Sequence, residues 1–354
     1  MKLIILVAIF ITLNAFASDK KQYLVITHHP HDLVELQKYT KIIRSNGRTL
    51  LVSISDEKKF PKELRSKIRE IQDEEILNYT VTRKTKLKTN PIVQKLISNV
   101  STSEMQKIVS DLSAFQNRRA GSEDNNKAVK YIEKEFKGLG LQTEVDCFQV
   151  SSCNVYGKYI GSDTPEEIIL IEAHLDSVGK IGAGADDNAS GVAGLLMIAK
   201  QVLSTSPKKS FIFFATNGEE KGLLGAKHYV KVLDNSGELR KINFVINMDM
   251  IGYNKDNTKV DLETNKPFVA QAEWMADLVN TYTGLVPNVV TPAWGSDHVP
   301  FLNKDIPTVL TIEHWPSKTP CYHAGCDKPG HLTYEYGIEI IKLNIAAAYL
   351  KSEE

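Results

Sequence analysis

The sequence predicts an α/β fold: a mixed, largely parallel central sheet with helices on both faces, preceded by a small α+β segment. Two observations carry this. The runs "EEIILIEAH", "KSFIFFATNGEE" and "KINFVINMDMIGY" are apolar too continuously for a sheet with one wet face; such runs suit central strands covered on both sides. Helical segments, "SGVAGLLMIAKQVL" and "GLLGAKHYVKVL", lie between them, and alternating strands and helices imply a sheet sandwiched by helices.

A chain of 354 residues holds one large domain, or a large domain and a small one. Lys+Arg and Asp+Glu each number 43, and that balance gives no electrostatic footprint for nucleic acid. The start, "MKLIILVAIFITLNAFASDK", has a basic Lys2, an apolar run and an Ala15-Phe16-Ala17 cleavage pattern. Residues 1–17 therefore read as a signal peptide cut before Ser18, which places the mature protein in a secreted or periplasmic setting, free of the membrane. An uncleaved anchor is the rival, but the run is shorter than the roughly 20 residues a spanning helix needs.

Residues 18–81 read as a small α+β pro-region. "YLVIT" is a strand; "LVELQKYTKIIRSNG" after Asp32 is a helix stopped by Gly47; "RTLLVSI" is a second strand; "PKELRSKIREIQ" is a helix with Pro61 in its first turn. "TRKTKLKTNP", residues 82–91, is basic and polar and ends in Pro, the composition of an exposed linker or processing segment. The main domain spans 92–354. It opens with the helices "SEMQKIVSDLSAF" and "EDNNKAVKYIEKEFKGLG", the second ended by Gly138 and Gly140. No internal repeat of 20–50 residues is apparent.

Export permits disulfides. The four cysteines form two close pairs, Cys147/Cys153 and Cys321/Cys326. Four cysteines allow three pairings; local pairing is the simplest. Metal binding by cysteine is the competitor, and no C-x-x-C spacing supports it.

The polar residues concentrate at the carboxyl ends of the three apolar strands. His174 and Asp176 follow "IILIEA", Glu219 and Glu220 follow "FIFFAT", and Asp249 follows "FVINM". Sites in open α/β sheets form at that edge. Asp186 and Asp187 lie on a loop leading into the next helix. Buried carboxylates are costly unless paired or metal-bound, and mixed imidazole and carboxylate donors suit Zn²⁺, with Mn²⁺ or Co²⁺ as substitutes. One carboxylate shared by two cations makes a two-metal site, whose charge offsets the carboxylates' mutual repulsion.

"AHLDS", "GADDNASG", "NGEEKGLLGA", "NMDMIGY" and "CYHAGCD" occur in this order. Together, from about Ser101 to Leu350, the chain resembles the M28 family of zinc aminopeptidases. The resemblance implies two Zn²⁺ per chain. His174 and Asp249 would bind the first, Glu220 and His323 the second, and Asp187 would bridge them. Asp176 would orient the His174 imidazole. Glu219 would be the general base that takes a proton from the attacking water. The implied substrates are peptides with a free N-terminus, cut one residue at a time by a monomer.

Other polar residues read more plainly. Asp186 is expected to cap a helix or face solvent. Asn188-Ala-Ser190 matches a glycosylation sequon, but its place inside the metal loop argues against use. "HHPHD", residues 28–32, lies outside the matched region. His228 is a surface or packing histidine, and His331 a loop contact. Asp297-His298 in "WGSDHVPF" is similar to a Ser-Asp-His segment near the family's pocket. Some members carry a tyrosine just before it that steadies the oxyanion; here Ala293 and Trp294 stand there, leaving Tyr322 or the metals for that task. Met250, Trp294, Trp315 and Tyr322 are candidates for an apolar pocket, or for core. Two rivals keep the fold: a single-zinc enzyme like glutaminyl cyclase, and an inactive binding domain. The filled ligand set and Glu219 favour hydrolysis.

Overall fold

A computed structural model of the chain describes residues 22–26, 38–46, 49–54, 60, 68–71, 76–81, 87–149, 151–179, 184–255 and 258–354. The expected signal peptide and "HHPHD" lie outside the described residues. The chain divides into two compact units, Met1–Asp73 and Glu74–Glu354.

The first unit contains strands β1 (Gln22–Ile26), β2 (Thr40–Asn46), β3 (Thr49–Ile54) and β4 (Ile68–Ile71), ordered β2-β3-β1-β4. All its described pairs are antiparallel. The two expected strands are present as β1 and β3. The two expected helices are corrected over their described parts, because residues 40–46 and 68–71 are strands. In β2, Thr40, Ile42 and Ile43 are β-branched and fit a pleated surface. Asn46 pairs with Thr49 at the end of the β2–β3 hairpin. In β4, pairing of Ile68 with Val25 and Ile71 with Gln22 overrides the helix propensity of "SKIREIQ".

The second unit is built on a nine-stranded sheet with order β5-β12-β11-β13-β10-β8-β9-β7-β6. Its strands are β5 (Leu77–Thr80), β6 (Gln142–Gln149), β7 (Ser152–Tyr159), β8 (Thr164–His174), β9 (Lys209–Thr216), β10 (Ile242–Met248), β11 (Lys259–Glu263), β12 (Val286–Thr291) and β13 (Thr308–Glu313). The central strands β13, β10, β8 and β9 run parallel. Antiparallel pairs flank them on both sides. β5 falls within the segment 18–81 read from sequence as one small unit, yet it pairs with β12 at the edge of this larger sheet.

The apolar runs explain why both faces are covered. Side chains alternate across a strand. Ile169, Ile171, Phe211, Phe213, Phe244 and Ile246 point into one core. Their neighbours Leu170, Ile212, Phe214 and Val245 point into another. The first core is closed by α1 (Pro91–Ser98), α2 (Thr102–Ser113), α3 (Glu123–Gly138), α4 (Gly191–Leu203), α6 (Val269–Tyr282) and α8 (Tyr334–Glu353). The second is closed by α5 (Leu224–Ser236) and the short α7 (His298–Leu302). Helix starts follow capping chemistry: Asn90, Ser101 and Ser122 each accept backbone N–H groups from the first turns of α1, α2 and α3.

Both disulfides are local. Cys147 and Cys153 face each other across the β6–β7 hairpin, with Cα atoms 3.9 Å apart. Cys321 joins Cys326 across the loop that carries His323. Among the described residues no helix is long and apolar enough to cross a membrane.

Candidate metal centre

β8, β9 and β10 are parallel neighbours, so their carboxyl ends lie along one edge. His174 is the last residue of β8, and Asp249 directly follows β10. Glu219 and Glu220 sit in a single 3₁₀ turn after β9, between Gly218 and Gly222, both at positive φ. Asp187 comes from the loop before α4, and its peptide bond to Asn188 is cis. His323 comes from the loop between β13 and α8.

These elements converge. His174 Nε2 is 3.2 Å from Asp187 Oδ1 and 3.4 Å from Asp249 Oδ1. His323 Nε2 is 3.2 Å from Asp187 Oδ2 and 3.1 Å from Glu220 Oε2. Two triads result, His174/Asp187/Asp249 and Asp187/Glu220/His323, each with ligand atoms close enough to share an ion. Asp187 belongs to both, with one oxygen toward each imidazole.

The donor set suits a cation at each triad. His174 Nδ1 lies 3.2 Å from the Asp176 carbonyl. Donation there leaves the Nε2 lone pair facing two carboxylate oxygens, all of them acceptors. His174 Nε2, Asp249 Oδ1 and Glu220 Oε1 are buried with no hydrogen-bond partner, which is the arrangement a bound dication satisfies. The same crowding shows in the protonation equilibria. Burial opposes protonation of His323, but Glu220 and Asp187 outweigh it and raise its pKa to about 10. Burial, then Asp187, raises Glu220 to about 7. Burial holds Glu219 well above the ordinary carboxylate range; Glu220, Asp249 and Asp297 add to this against the pull of His174.

Asp176 does more than its spacing suggested. Its Oδ1 is 3.6 Å from His174 Nδ1, while its two oxygens accept the backbone N–H groups of Glu219 (3.2 Å) and Glu220 (3.3 Å). Asp186 is corrected: it is buried rather than solvated, and accepts from Gly252 N at 2.8 Å and Ser190 Oγ at 3.2 Å. Asn188 is a structural tie. Its Nδ2 donates to the Met248 carbonyl, and its Oδ1 accepts from Gly191 N and Met250 N.

Asp297 is buried and accepts from Thr216 Oγ1. His298 Nε2 lies 3.4 Å from Glu263 Oε1. Glu263 also accepts both the backbone N–H and the indole N–H of Trp294, each at 2.8 Å. The indole has one donor, so Trp294 has none left for an oxyanion. An aromatic chain runs out from the site: Tyr322 stacks on His323 at 3.8 Å, Trp315 meets Tyr322 edge-on at 5.5 Å, and Trp294 meets Trp315 at 5.9 Å. His228 pairs with Asp146 and packs on Phe148. His331 Nε2 lies 3.6 Å from Cys321 Sγ.

Two supporting residues escaped the sequence reading. Arg118 is fully buried and donates to the carbonyls of Leu175 (3.0 Å), Leu112 (3.1 Å) and Gly184 (2.5 Å). It ties the loop after His174 to the loop before Asp187. Burial lowers its pKa to about 10, so it stays charged at neutral pH. Gly184 has φ of 101°, and a Cβ there would lie 2.8 Å from Arg118 Nη2. Asp327 binds the same loop from the other side. Nothing in "NRRAGS" or in the end of "CYHAGCD" marks either residue, because their partners are backbone groups distant in sequence.

The profile of peptidase family M28 matches residues 154–348, more than half of the chain. This chain belongs to peptidase family M28. The family profile takes in all five expected metal ligands and both Asp176 and Glu219. Among curated proteins, this M28 chain is 31% identical over 236 residues to leupeptin-inactivating enzyme 1 of Streptomyces exfoliatus, covering 60% of this chain and 52% of that one. The match thus spans about half the length of that relative. The structure is similar to that of the LapA aminopeptidase of Legionella pneumophila, with a TM-score of 0.71 at 19% identity over 94% of this chain and 98% of that one. It is also similar to BSAP, a zinc aminopeptidase from Bacillus subtilis, with a TM-score of 0.64 at 18% identity over 72% and 96% of the two chains. At such identities the likeness is one of fold.

Proposed function

We propose that this M28 chain is an exported dizinc aminopeptidase that releases one N-terminal residue, preferentially apolar, from peptides. One observation carries the reading: Asp187 presents one oxygen to His174 and the other to His323, each at 3.2 Å. A bridging carboxylate between two imidazole-bearing triads is the ligand pattern of a two-metal hydrolytic site. Zinc as the ion draws support from the donor types and from the zinc aminopeptidase of similar fold.

Two bound cations supply Lewis-acid polarisation of the scissile carbonyl and lower the pKa of a water to near neutral. The chain's own residues supply the rest. His174, Asp249, Asp187, Glu220 and His323 hold the ions. Glu219 accepts the proton of the attacking water and returns it to the departing amine. Asp176 fixes the backbone of Glu219 and Glu220. The surplus of carboxylates suits a free α-ammonium group, the anchor that selects the chain end. The aromatic chain of Tyr322, Trp315 and Trp294 leading from His323 suits an apolar side chain on the released residue. Export rests on the signal-like residues 1–17, and the segment 18–81 is read as a pro-region whose covalent link to the enzyme is cut within 82–91.

The test is release of product from a panel of amino-acid amides, with N-acetylated amides as controls. Leu, Met and Phe amides are expected to be cut fastest and acetylated ones refused. Efficient cleavage of blocked internal peptide bonds contradicts the reading.

A further inference from the structure

We infer that Asp327 is a positioning residue for the Asp187/Glu220/His323 cation site, locking the loop of the bridging carboxylate to the loop of His323. Four consecutive backbone N–H groups end on this one residue. Asp327 Oδ2 accepts from Gly184 N at 3.1 Å and Asp187 N at 3.0 Å, and Oδ1 accepts from Asp186 N at 2.8 Å. The Asp327 carbonyl accepts from Ala185 N at 3.3 Å. The side chain is buried, so these bonds do not compete with bulk water. On its other side, Asp327 directly follows Cys326, which is bonded to Cys321 around His323, and its own N–H donates to the Ala324 carbonyl at 3.1 Å. Two ligands of one cation therefore meet through a single carboxylate.

The two cation sites are not equally dependent on this lock. His174 and Asp249 extend from β8 and β10, which pair in register up to Asn247 and Glu172. The sheet holds them. In the second triad Glu220 is held through Asp176, whereas Asp187 and His323 come from the two loops that Asp327 joins. Asp327→Asn keeps the size but replaces one acceptor oxygen by an N–H₂ group. That group cannot accept from Gly184 N, Asp187 N or Asp186 N, so the loop loses part of its anchor. Outer partners of metal ligands affect affinity by roughly 10–100-fold.

The inference rests on the two-cation reading above. The purified full chain and its D327N and D327E forms are stripped with chelator. Each is retitrated with Zn²⁺ against a competing chelator, and with Co²⁺ followed by visible absorption. Native protein is expected to take up two ions. D327N is expected to keep the first affinity within about threefold while the second weakens roughly 10–100-fold. D327E retains the charge and weakens the second by less. Circular dichroism checks the fold; where D327N does not fold, D327E alone decides, and a native second affinity in it overturns the inference. Two ions bound at native affinity by D327N, or equal weakening of both, overturns it as well. A native chain that takes up one ion removes the two-cation reading and the inference together.

Discussion

Asp176 accepts the backbone N–H of Glu219 at 3.2 Å. Its second oxygen accepts that of Glu220 at 3.3 Å, and its carbonyl lies 3.2 Å from His174 Nδ1. One residue therefore sets the position of the proposed base and of one ligand for each ion. Asp176→Asn is expected to lower kcat by roughly 10–100-fold with KM near native. Steady-state kinetics on an amino-acid amide checks this, and an unchanged kcat removes the positioning role.

Glu219 and Glu220 are adjacent glutamates with different assignments. Glu220 lies 3.1 Å from His323 Nε2, while Glu219 belongs to neither triad. Glu220→Gln is expected to lose one zinc, because a neutral amide is a poorer ligand for a dication. Glu219→Gln is expected to keep both ions and bind substrate, yet lose roughly 10²–10⁴-fold in turnover. Metal content and kcat separate the two. Loss of metal in Glu219→Gln with retention in Glu220→Gln inverts the assignment.

The Cys321–Cys326 bond closes a short loop around His323. A loop that small constrains the unfolded chain little, so the bond's main effect is on the placement of the imidazole. Cys321→Ser is expected to lower zinc occupancy before it lowers the unfolding temperature. Free thiols at both positions in fully active protein, seen by mass spectrometry, contradict this.

Cleavage within residues 82–91 has a structural consequence. It leaves β5 paired with β12 through Asn288↔Thr80 to Thr291↔Leu77, so the strand stays in the sheet without a covalent link. The cut protein is expected to be more active than the uncut one, with the 18–81 segment released only on denaturation or by competition for that edge. Equal specific activity of purified cut and uncut forms removes the pro-region role.

The centre of the molecule was legible because its signals are local. β8, β9 and β10 are continuous apolar runs, and His174, Glu219, Glu220 and Asp249 stand where those runs stop. Two of the N-terminal strands, β2 and β4, were read as helices because Lys, Glu and Arg around Ile42 and Ile68 mimic a helical face; only pairing with β3 and β1 fixes them. β11 was missed for the opposite reason. Its Asp261 and Glu263 look like surface charges, yet both are buried, with Trp315 N and His314 Nδ1 on Asp261 and Trp294 on Glu263. Arg118, Asp186 and Asp327 share that illegibility: each is defined by backbone partners that only the folded chain brings near.

The central claim is that Asp187 serves two ions. Elemental analysis of the purified full chain, paired with amide hydrolysis before and after chelation, tests it most directly. The account predicts two zinc ions per chain, activity lost as they are removed, and activity restored by Zn²⁺ or Co²⁺. Full turnover with one zinc per chain, or after complete chelation, contradicts it.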